Sequence, residues 1–148
     1  MSVEVSSGDG QVSLDPETVA QGQPFRVNIT PGSNMAVDTI TIDGIPYVND
    51  GSSEPPENSS WVMLEFSSAP ATMNITVSFS ECTDDSGVPD KYKATVTTSV
   101  SGTGGTVKSA SQKVVKGQSA EIDIIPDEYM AVDTITAGDD VYINNGQE

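Results

Sequence analysis

Histidine is absent from this chain, and cysteine, aromatic and basic residues are scarce. Without histidine the chain lacks the usual general base, the commonest zinc ligand and every Ser-His or Cys-His catalytic arrangement. Its single cysteine, Cys82, has no partner for a disulfide bond, so an oxidising compartment is neither required nor excluded. Aromatic residues make up 5% of the chain, too few for the aromatic-lined cleft of a typical glycosidase. The sequence therefore predicts a protein that is not an enzyme.

Positive charge is also scarce, because six Lys and Arg stand against 22 Asp and Glu, giving a net charge of −16. A field of this sign repels phosphate backbones and anionic lipid headgroups. No apolar run approaches the roughly 18 residues that a membrane span needs. We therefore expect neither a nucleic-acid partner nor insertion into a membrane.

A duplication is the strongest pattern that the sequence does contain. The heptapeptide MAVDTIT stands at residues 35–41 and again at residues 130–136, an offset of 95. At that offset the chain aligns with itself without a gap, and several further identities fall into register: Gly22 with Gly117, Ile29 with Ile124, Pro31 with Pro126, Tyr47 with Tyr142 and Asn49 with Asn144. Such self-similarity predicts two tandem copies of one structural unit.

Alternation of apolar and polar residues predicts the secondary structure of each copy. Phe25, Val27 and Ile29 alternate with polar residues, as do the apolar residues of 61–66 and 73–79. This period of two indicates half-buried antiparallel strands, and no window shows convincing helical periodicity. We predict an all-β fold of tandem small antiparallel modules, sandwich-like or β-grasp-like. The predicted strands of the first copy cover residues 3–12, 18–20, 25–30, 37–43, a short stretch near Tyr47, 61–66 and 73–79.

The predicted domain organisation is a complete module at residues 1–80, an acidic linker at 81–91 and a second module at 92–148. The second module lacks counterparts of the strands at 61–66 and 73–79. Three explanations are open. The natural protein continues past Glu148, or a neighbouring chain donates the strands. Alternatively, the two halves pair into one pseudo-symmetric sandwich in which residues 54–95 form a central insertion.

Motifs of the second copy carry a resemblance to a known family. They are GGTV at 104–107, VVKGQSA at 114–120, IDIIPDEY at 122–129 and VDTIT at 132–136. Together they resemble the divergent internalin-type B-repeat, which occurs in tandem on bacterial surface and secreted proteins. The chain departs from the family pattern at Glu128, where the family has glycine. The resemblance covers most of residues 3–80 and 92–146, and it implies a small β-rich spacer or adhesion module without catalytic residues.

One acidic run suggests a metal site. In the stretch from Asp84 to Asp90, Gly87 can provide the sharp turn that calcium loops need, which leaves Asp84, Ser86 and Asp90 as candidate calcium ligands. Cys82, however, occupies the position where the first carboxylate of such a loop is expected. The alternative is a solvated acidic linker without a metal.

Other candidate residues have ordinary structural explanations beside their functional ones. Trp61 opens a strand next to the polar loop of residues 50–59 and could stack on a sugar ring, or it could be a partly buried strand residue. Asp38 and Asp133 occupy matched positions in the two copies, on the phase of the strand that we predict to face solvent. Tyr47 and Tyr142 also recur, which suggests a packing role in both copies.

These observations predict a non-enzymatic, extracellular or cell-surface repeat segment that serves as a spacer, stalk or adhesion-type module of a bacterial protein. No secretion signal is visible, because strand-like residues follow Met1 at once. Two alternatives belong to other classes: a virion or filament subunit completed by strand exchange, and a carbohydrate- or protein-binding module. The expected partners are neighbouring repeats of the same chain and, for adhesion, a host or cell-surface protein or glycan.

Overall fold

The computed structural model describes residues 1–56 and 59–145. The protein is all-β, with several small antiparallel sheets, as the alternation predicted. Its elements, in chain order, are β1 Ser2–Ser7, β2 Gly10–Asp15, β3 Phe25–Pro31, β4 Met35–Ile42, β5 Ile45–Val48, β6 Met63–Phe66, β7 Asn74–Glu81, a 3₁₀ helix Asp90–Tyr92, β8 Lys93–Thr97, β9 Gly105–Val107, β10 Ser111–Val115, β11 Ile124–Pro126, β12 Thr134–Ala137 and β13 Asp140–Ile143.

The chain divides into two compact units. The first comprises Met1–Ala94 with Val115–Gln118, and the second comprises Thr95–Val114 with Ser119–Glu148. The first unit thus extends well beyond residue 80. The segment at 81–91, which we predicted as a linker, belongs to this unit.

Two sheets form the first unit. One has the strand order β1-β7-β4-β5 and the other the order β2-β3-β6. All pairings within them are antiparallel except that of β1 with β7, which is parallel. A parallel pair needs a long connection, and nearly the whole first copy separates these two strands. Since β6 and β7 complete this sandwich themselves, the hypothesis of residues 54–95 as a central insertion is wrong.

The core of the first unit follows the predicted alternation. Phe25, Val27 and Ile29 of β3 are 3%, 0% and 3% exposed, and Ile75 and Val77 of β7 are both 0% exposed. These side chains belong to one apolar cluster to which both sheets contribute. Each such burial stabilises the fold by about 1.5–3 kcal/mol. The alternation of apolar and polar residues in the sequence therefore arises because one face of each strand packs into this shared core.

An aromatic pair links two strands of the smaller sheet. Phe25 of β3 lies opposite Phe66 of β6 in the register, and their rings stack with centroids 4.6 Å apart and planes 9° from parallel. Such a cross-strand pair stabilises a sheet by up to about 1 kcal/mol beyond the buried area. It helps to hold β6 in place after the long polar loop.

Two strand predictions were wrong in detail. Residues 3–12 form two strands rather than one, because Gly8 turns the chain with φ of 81° between β1 and β2. A side chain at Gly10 would overlap the ring of Phe79, so that position also requires glycine. Residues 18–20 form no strand. Pro16 follows the end of β2 and has no N–H to donate to a ladder.

Between residues 93 and 145 the strands form three two-stranded sheets, β8 with β10, β9 with β11, and β12 with β13. The last two repeat pairings of the first copy at an offset of 95. In β9 and β11, Val107 pairs with Ile124, as Val12 pairs with Ile29 in the first copy. All four pairs between β12 and β13 match pairs between β4 and β5 in the same way.

Individual hydrogen bonds outside the strand ladders are also repeated. The backbone N–H of Asn49 donates to the Asp38 carbonyl over 2.8 Å, and that of Asn144 donates to the Asp133 carbonyl over the same distance. The side-chain amide of each asparagine donates to the carbonyl one residue earlier, at 2.8 Å in the first copy and 2.7 Å in the second. The two copies therefore share these features of backbone conformation as well as their sequence.

Candidate functional site

The acidic segment between the copies folds against the first unit. Cys82, Val88 and Lys93 are buried, and a 3₁₀ helix spans Asp90–Tyr92. The side-chain amide of Asn49 donates to the Gly87 carbonyl over 2.8 Å and so anchors the turn of the segment to the sandwich. The segment is thus not the solvated linker that its composition suggested.

Lys93 lies at the centre of this segment. Its Nζ is 2.6 Å from Oδ1 of Asp84 and 2.9 Å from Oδ1 of Asp90, and its side chain is fully buried. A buried ammonium group needs carboxylate partners, because it has given up its hydration. We call Asp84, Asp90 and Lys93 the carboxylate–lysine cluster.

Hydroxyl and backbone donors position the two carboxylates. Thr83 donates its hydroxyl to Oδ2 of Asp90 over 2.7 Å, which leaves Oδ1 directed to Lys93. The backbone N–H of Ser86 donates to Oδ1 of Asp84 over 3.0 Å. The Cys82 thiol donates to the Asp84 carbonyl over 3.2 Å. The cluster is therefore a hydrogen-bonded network rather than an isolated ion pair.

The pKa values of the cluster follow from these contacts. Burial by itself lowers the pKa of Lys93, but the hydrogen bonds to Asp84 and Asp90 outweigh it and raise the pKa to about 12. The same contact with Lys93, together with Ser86, holds the pKa of Asp84 well below its usual range. Both groups are therefore charged at neutral pH.

This geometry does not fit the calcium site predicted from the sequence. The structure brings Asp84 and Asp90 together, but the Lys93 ammonium lies where a divalent cation would have to bind. Calcium needs six to eight oxygen ligands at about 2.3–2.6 Å, and an ammonium at the same oxygens would repel it. The third predicted ligand, Ser86, directs its backbone N–H at Asp84. Within residues 1–56 and 59–145, no three His, Cys, Asp or Glu side chains are close enough to hold a metal ion.

A second ionic network surrounds Asp38, which we expected to face solvent. Its carboxylate accepts hydrogen bonds from Lys91 Nζ at 2.6 Å, from the Tyr92 hydroxyl at 2.9 Å and from the Ser80 hydroxyl at 3.0 Å. The register of β4 against β7 shifts between Val37 and Thr39, so Asp38 is the extra residue of a β-bulge. Because a bulge redirects a side chain, simple alternation gave the wrong orientation.

The pKa of Asp38 reflects this network. Burial alone raises the pKa, but the hydrogen bonds from Lys91, Tyr92 and Ser80 together bring it below its ordinary value. A lowered pKa in the folded state stabilises the fold above the unfolded pKa of about 4. This stabilisation is lost as the pH falls through the folded pKa.

We expect Asp38→Asn to lower the free energy of unfolding by roughly 1–3 kcal/mol at pH 7, because the amide loses the charge and turns a donor toward other donors. The matched control is Asp133→Asn at the same repeat position, which is exposed and should change stability by less than about 0.5 kcal/mol. Urea unfolding at pH 7 and at pH 3 measures both variants. The Asp38→Asn deficit should shrink at the lower pH, and a deficit independent of pH would contradict the ionic explanation.

Trp61, the predicted ligand-stacking residue, is half-buried and packs against the core of the first unit. It lies in the tight turn between Ser60 and Met63, which pair through backbone hydrogen bonds. Tyr47 is likewise packed against this core, whereas its counterpart Tyr142 is 60% exposed. Packing accounts for Trp61 without a ligand, and a sugar contact stays a prediction.

An open depression of about 440 Å³ lies beside the first residue of the chain, and its lining residues include one carboxylate, Asp43. Carboxylate-based glycoside hydrolysis needs two carboxyl groups facing each other across the substrate. This depression therefore gives no support to an enzymatic hypothesis.

Comparisons with protein-family models, with curated proteins and with solved structures gave no match for this chain. Among the described residues, none of the helical segments has the length and apolar character needed to traverse a bilayer.

Proposed function

We propose that this chain is a non-enzymatic tandem-repeat segment of a bacterial surface or secreted protein, where it acts as a spacer, stalk or adhesion-type module. The observation that carries the proposal is the repetition of strand register and of individual hydrogen bonds at an offset of 95. Duplicated units that keep a common backbone form arrays whose reach increases with the number of copies. The resemblance to the internalin-type B-repeat supports the same role.

The hydrogen-bonded ionic networks of the first unit support a mechanical role. The buried carboxylate of Asp38 in β4 ties the segment that follows β7 to the sandwich, because it accepts hydrogen bonds from Lys91 and Tyr92. The segment is therefore fixed at several points rather than free to act as a loose tether. A spacer benefits from such fixation, because a stiff connection transmits distance better than a flexible one.

The proposal predicts how length depends on copy number. We expect a head-to-tail fusion of two full chains to show roughly twice the maximum dimension of one chain in small-angle X-ray scattering, with a fixed increment for a third chain. The matched control is the same fusion with Lys108→Met in every chain, which replaces an exposed lysine and should leave the distribution of distances unchanged. A maximum dimension that stays constant as chains are added would overturn the spacer proposal.

A virion or filament subunit completed by strand exchange is a second candidate, because the second copy leaves several apolar positions exposed. This candidate predicts a stable oligomer of identical chains, whereas a spacer segment is monomeric by itself. Size-exclusion chromatography with light scattering separates the two.

A further inference from the structure

One tight turn is built from the same hydrogen bonds in both copies. In the second copy it comprises residues 127–130, which we call the tyrosine turn. The N–H of Met130 donates to the Asp127 carbonyl over 3.0 Å and closes the turn, and the N–H of Asp127 donates to the Gly104 carbonyl over 2.9 Å. The equivalent bonds of the first copy measure 3.1 and 2.9 Å and join Met35 to Gly32 and Gly32 to Asp9.

The tyrosine turn is fixed to the chain next to it. Besides accepting the hydrogen bond from Asp127, Gly104 lies under the side chain of Met130, where an added Cβ would come within 2.6 Å of the Met130 Cε. Gly104 directly precedes β9, which pairs with β11. A turn held in this way loses little conformational freedom when it binds a partner.

The third residue of each turn has a left-handed backbone. Asn34 has φ of 57° and Tyr129 has φ of 64°. Asparagine is one of the few residues besides glycine that adopt this conformation readily, whereas a bulky side chain such as tyrosine rarely does. The second copy therefore has a residue that the local backbone disfavours where the first copy has a favoured one. Strain of this kind is concentrated at functional sites.

Packing within the chain does not offset this strain. The Tyr129 side chain is 96% exposed. Its equivalent Asn34 is exposed as well, although two sheets surround the core of the first unit. The exposure is thus a property of the turn itself and not of how many strands lie around it. An aromatic ring that gains nothing from burial in its own chain is accessible to a partner, and tyrosine is enriched among the residues that dominate binding at protein interfaces.

The tyrosine turn is also acidic. Asp127 and Glu128 directly precede Tyr129, and both are exposed. The first copy has Gly32 and Ser33 at these positions. Relative to the first copy, the second therefore adds an aromatic ring and two carboxylates to a turn with the same hydrogen bonds. One group complements all three, because the guanidinium of arginine stacks on aromatic faces and also pairs with carboxylates through a planar fork of N–H donors.

We propose that the tyrosine turn binds an arginine-bearing segment of a partner protein. The guanidinium stacks on Tyr129 and pairs with a carboxylate of the turn. Because the whole chain carries a net charge of −16, a basic partner is attracted from a distance, whereas a second copy of this chain is repelled. The inference rests on the adhesion form of the proposed function, and it adds the chemical class of the partner and the residue that recognises it.

The test uses a labelled synthetic peptide of alternating arginine and glycine residues, added to the full chain and followed by fluorescence anisotropy. Tyr129→Asn introduces the residue type of the first copy and leaves the net charge unchanged, and we expect it to weaken binding by about two- to fivefold. The matched control is Tyr142→Asn, at an exposed tyrosine of the same copy (60% exposed), which should leave binding unchanged. A peptide with lysine in place of arginine should bind more weakly and lose less affinity from Tyr129→Asn.

Stability distinguishes recognition from a structural role of the tyrosine. Because asparagine suits the left-handed backbone, Tyr129→Asn should raise the urea concentration at the unfolding midpoint of the second unit. A lower midpoint would mean that Tyr129 stabilises its own turn, and it would overturn the proposal.

Nuclear magnetic resonance locates the bound peptide on the wild-type chain. The amide signals of residues 127–130 should shift during the titration, whereas those of residues 32–35, the same turn without the tyrosine, should stay in place. Equal shifts in both turns, or equal affinity for the Tyr129→Asn variant, would indicate unspecific attraction and overturn the proposal. So would a dimer of identical chains that Tyr129→Asn dissociates. The scattering experiment on fused chains is unaffected by these outcomes, so a failure here leaves the spacer form of the proposed function intact.

Discussion

Replacing Ile40 with alanine is expected to lower the free energy of unfolding of the first unit by about 2–5 kcal/mol. Ile40 is 0% exposed and belongs to the central apolar cluster between the two sheets. Truncation removes buried methyl groups and leaves a cavity that the packed sheets fill only in part. The midpoint of thermal unfolding of this unit should fall by on the order of 10–30 °C.

The duplication provides a closely matched control for this experiment at the equivalent position of the second copy. Ile135 has the same neighbours in sequence and the same strand register, with Tyr142 opposite it as Tyr47 is opposite Ile40. It is 42% exposed, so Ile135→Ala should cost less than about 1 kcal/mol. Chemical denaturation with residue-level hydrogen exchange reports each unit separately. Similar losses for the two variants would contradict the difference in burial between the copies.

Lys93→Met is expected to produce the other large effect, a loss of about 3–5 kcal/mol, because it leaves the Asp90 carboxylate buried without its cation. Methionine keeps most of the length and apolar character of the lysine stem, so the loss reports on the charge. Denaturant unfolding at pH 7 measures it. Lys108→Met is the control, since Lys108 is 70% exposed in its contact with Asp123 and should change stability by less than about 0.5 kcal/mol.

A second substitution tests the electrostatic cause. Adding Asp90→Asn to Lys93→Met removes the stranded charge and should recover part of the lost stability. The pH dependence gives a further check. With its pKa raised to about 12, Lys93 should contribute its full stabilisation below the unfolded value of about 10.4 and lose it as the pH rises through 12. A double variant as unstable as Lys93→Met alone would mean that packing, not charge, carries the effect.

The sequence alone was sufficient for the fold class and for most of the strands. Apolar residues at alternate positions, such as Val27 and Ile29, must face a common core if they are to leave water, and this requirement is local enough to be seen in the chain. The identity of the two heptapeptides likewise predicted a shared backbone, and the matched registers agree with it.

The absence of a strand at residues 18–20 and the orientation of Asp38 could not be predicted in this way. The first depends on whether a neighbouring strand is available to pair, and the second on a β-bulge that offsets one residue of β4 from β7. Neither the partner strand nor the bulge is encoded in the few residues concerned. For Asp38 the distant Lys91 and Tyr92 supply the hydrogen bonds.

The candidate site was also predictable from the sequence only in part. Sequence spacing identified Asp84 and Asp90 as neighbours, but Lys93, the residue that organises them, resembled any other lysine in the chain. Its burial and its distances to the carboxylates exist only after the segment has folded onto the sandwich. The tertiary structure thus turned a suspected calcium loop into an internal ionic cluster.

What the sequence determined by itself is the period of two, the all-β class and the duplicated unit, because each of these follows from the order of apolar and polar residues along the chain. Only the tertiary structure decided which charges meet and which apolar faces are covered. Both depend on contacts between residues far apart in sequence, whose free energies are set by burial and by the distances between groups.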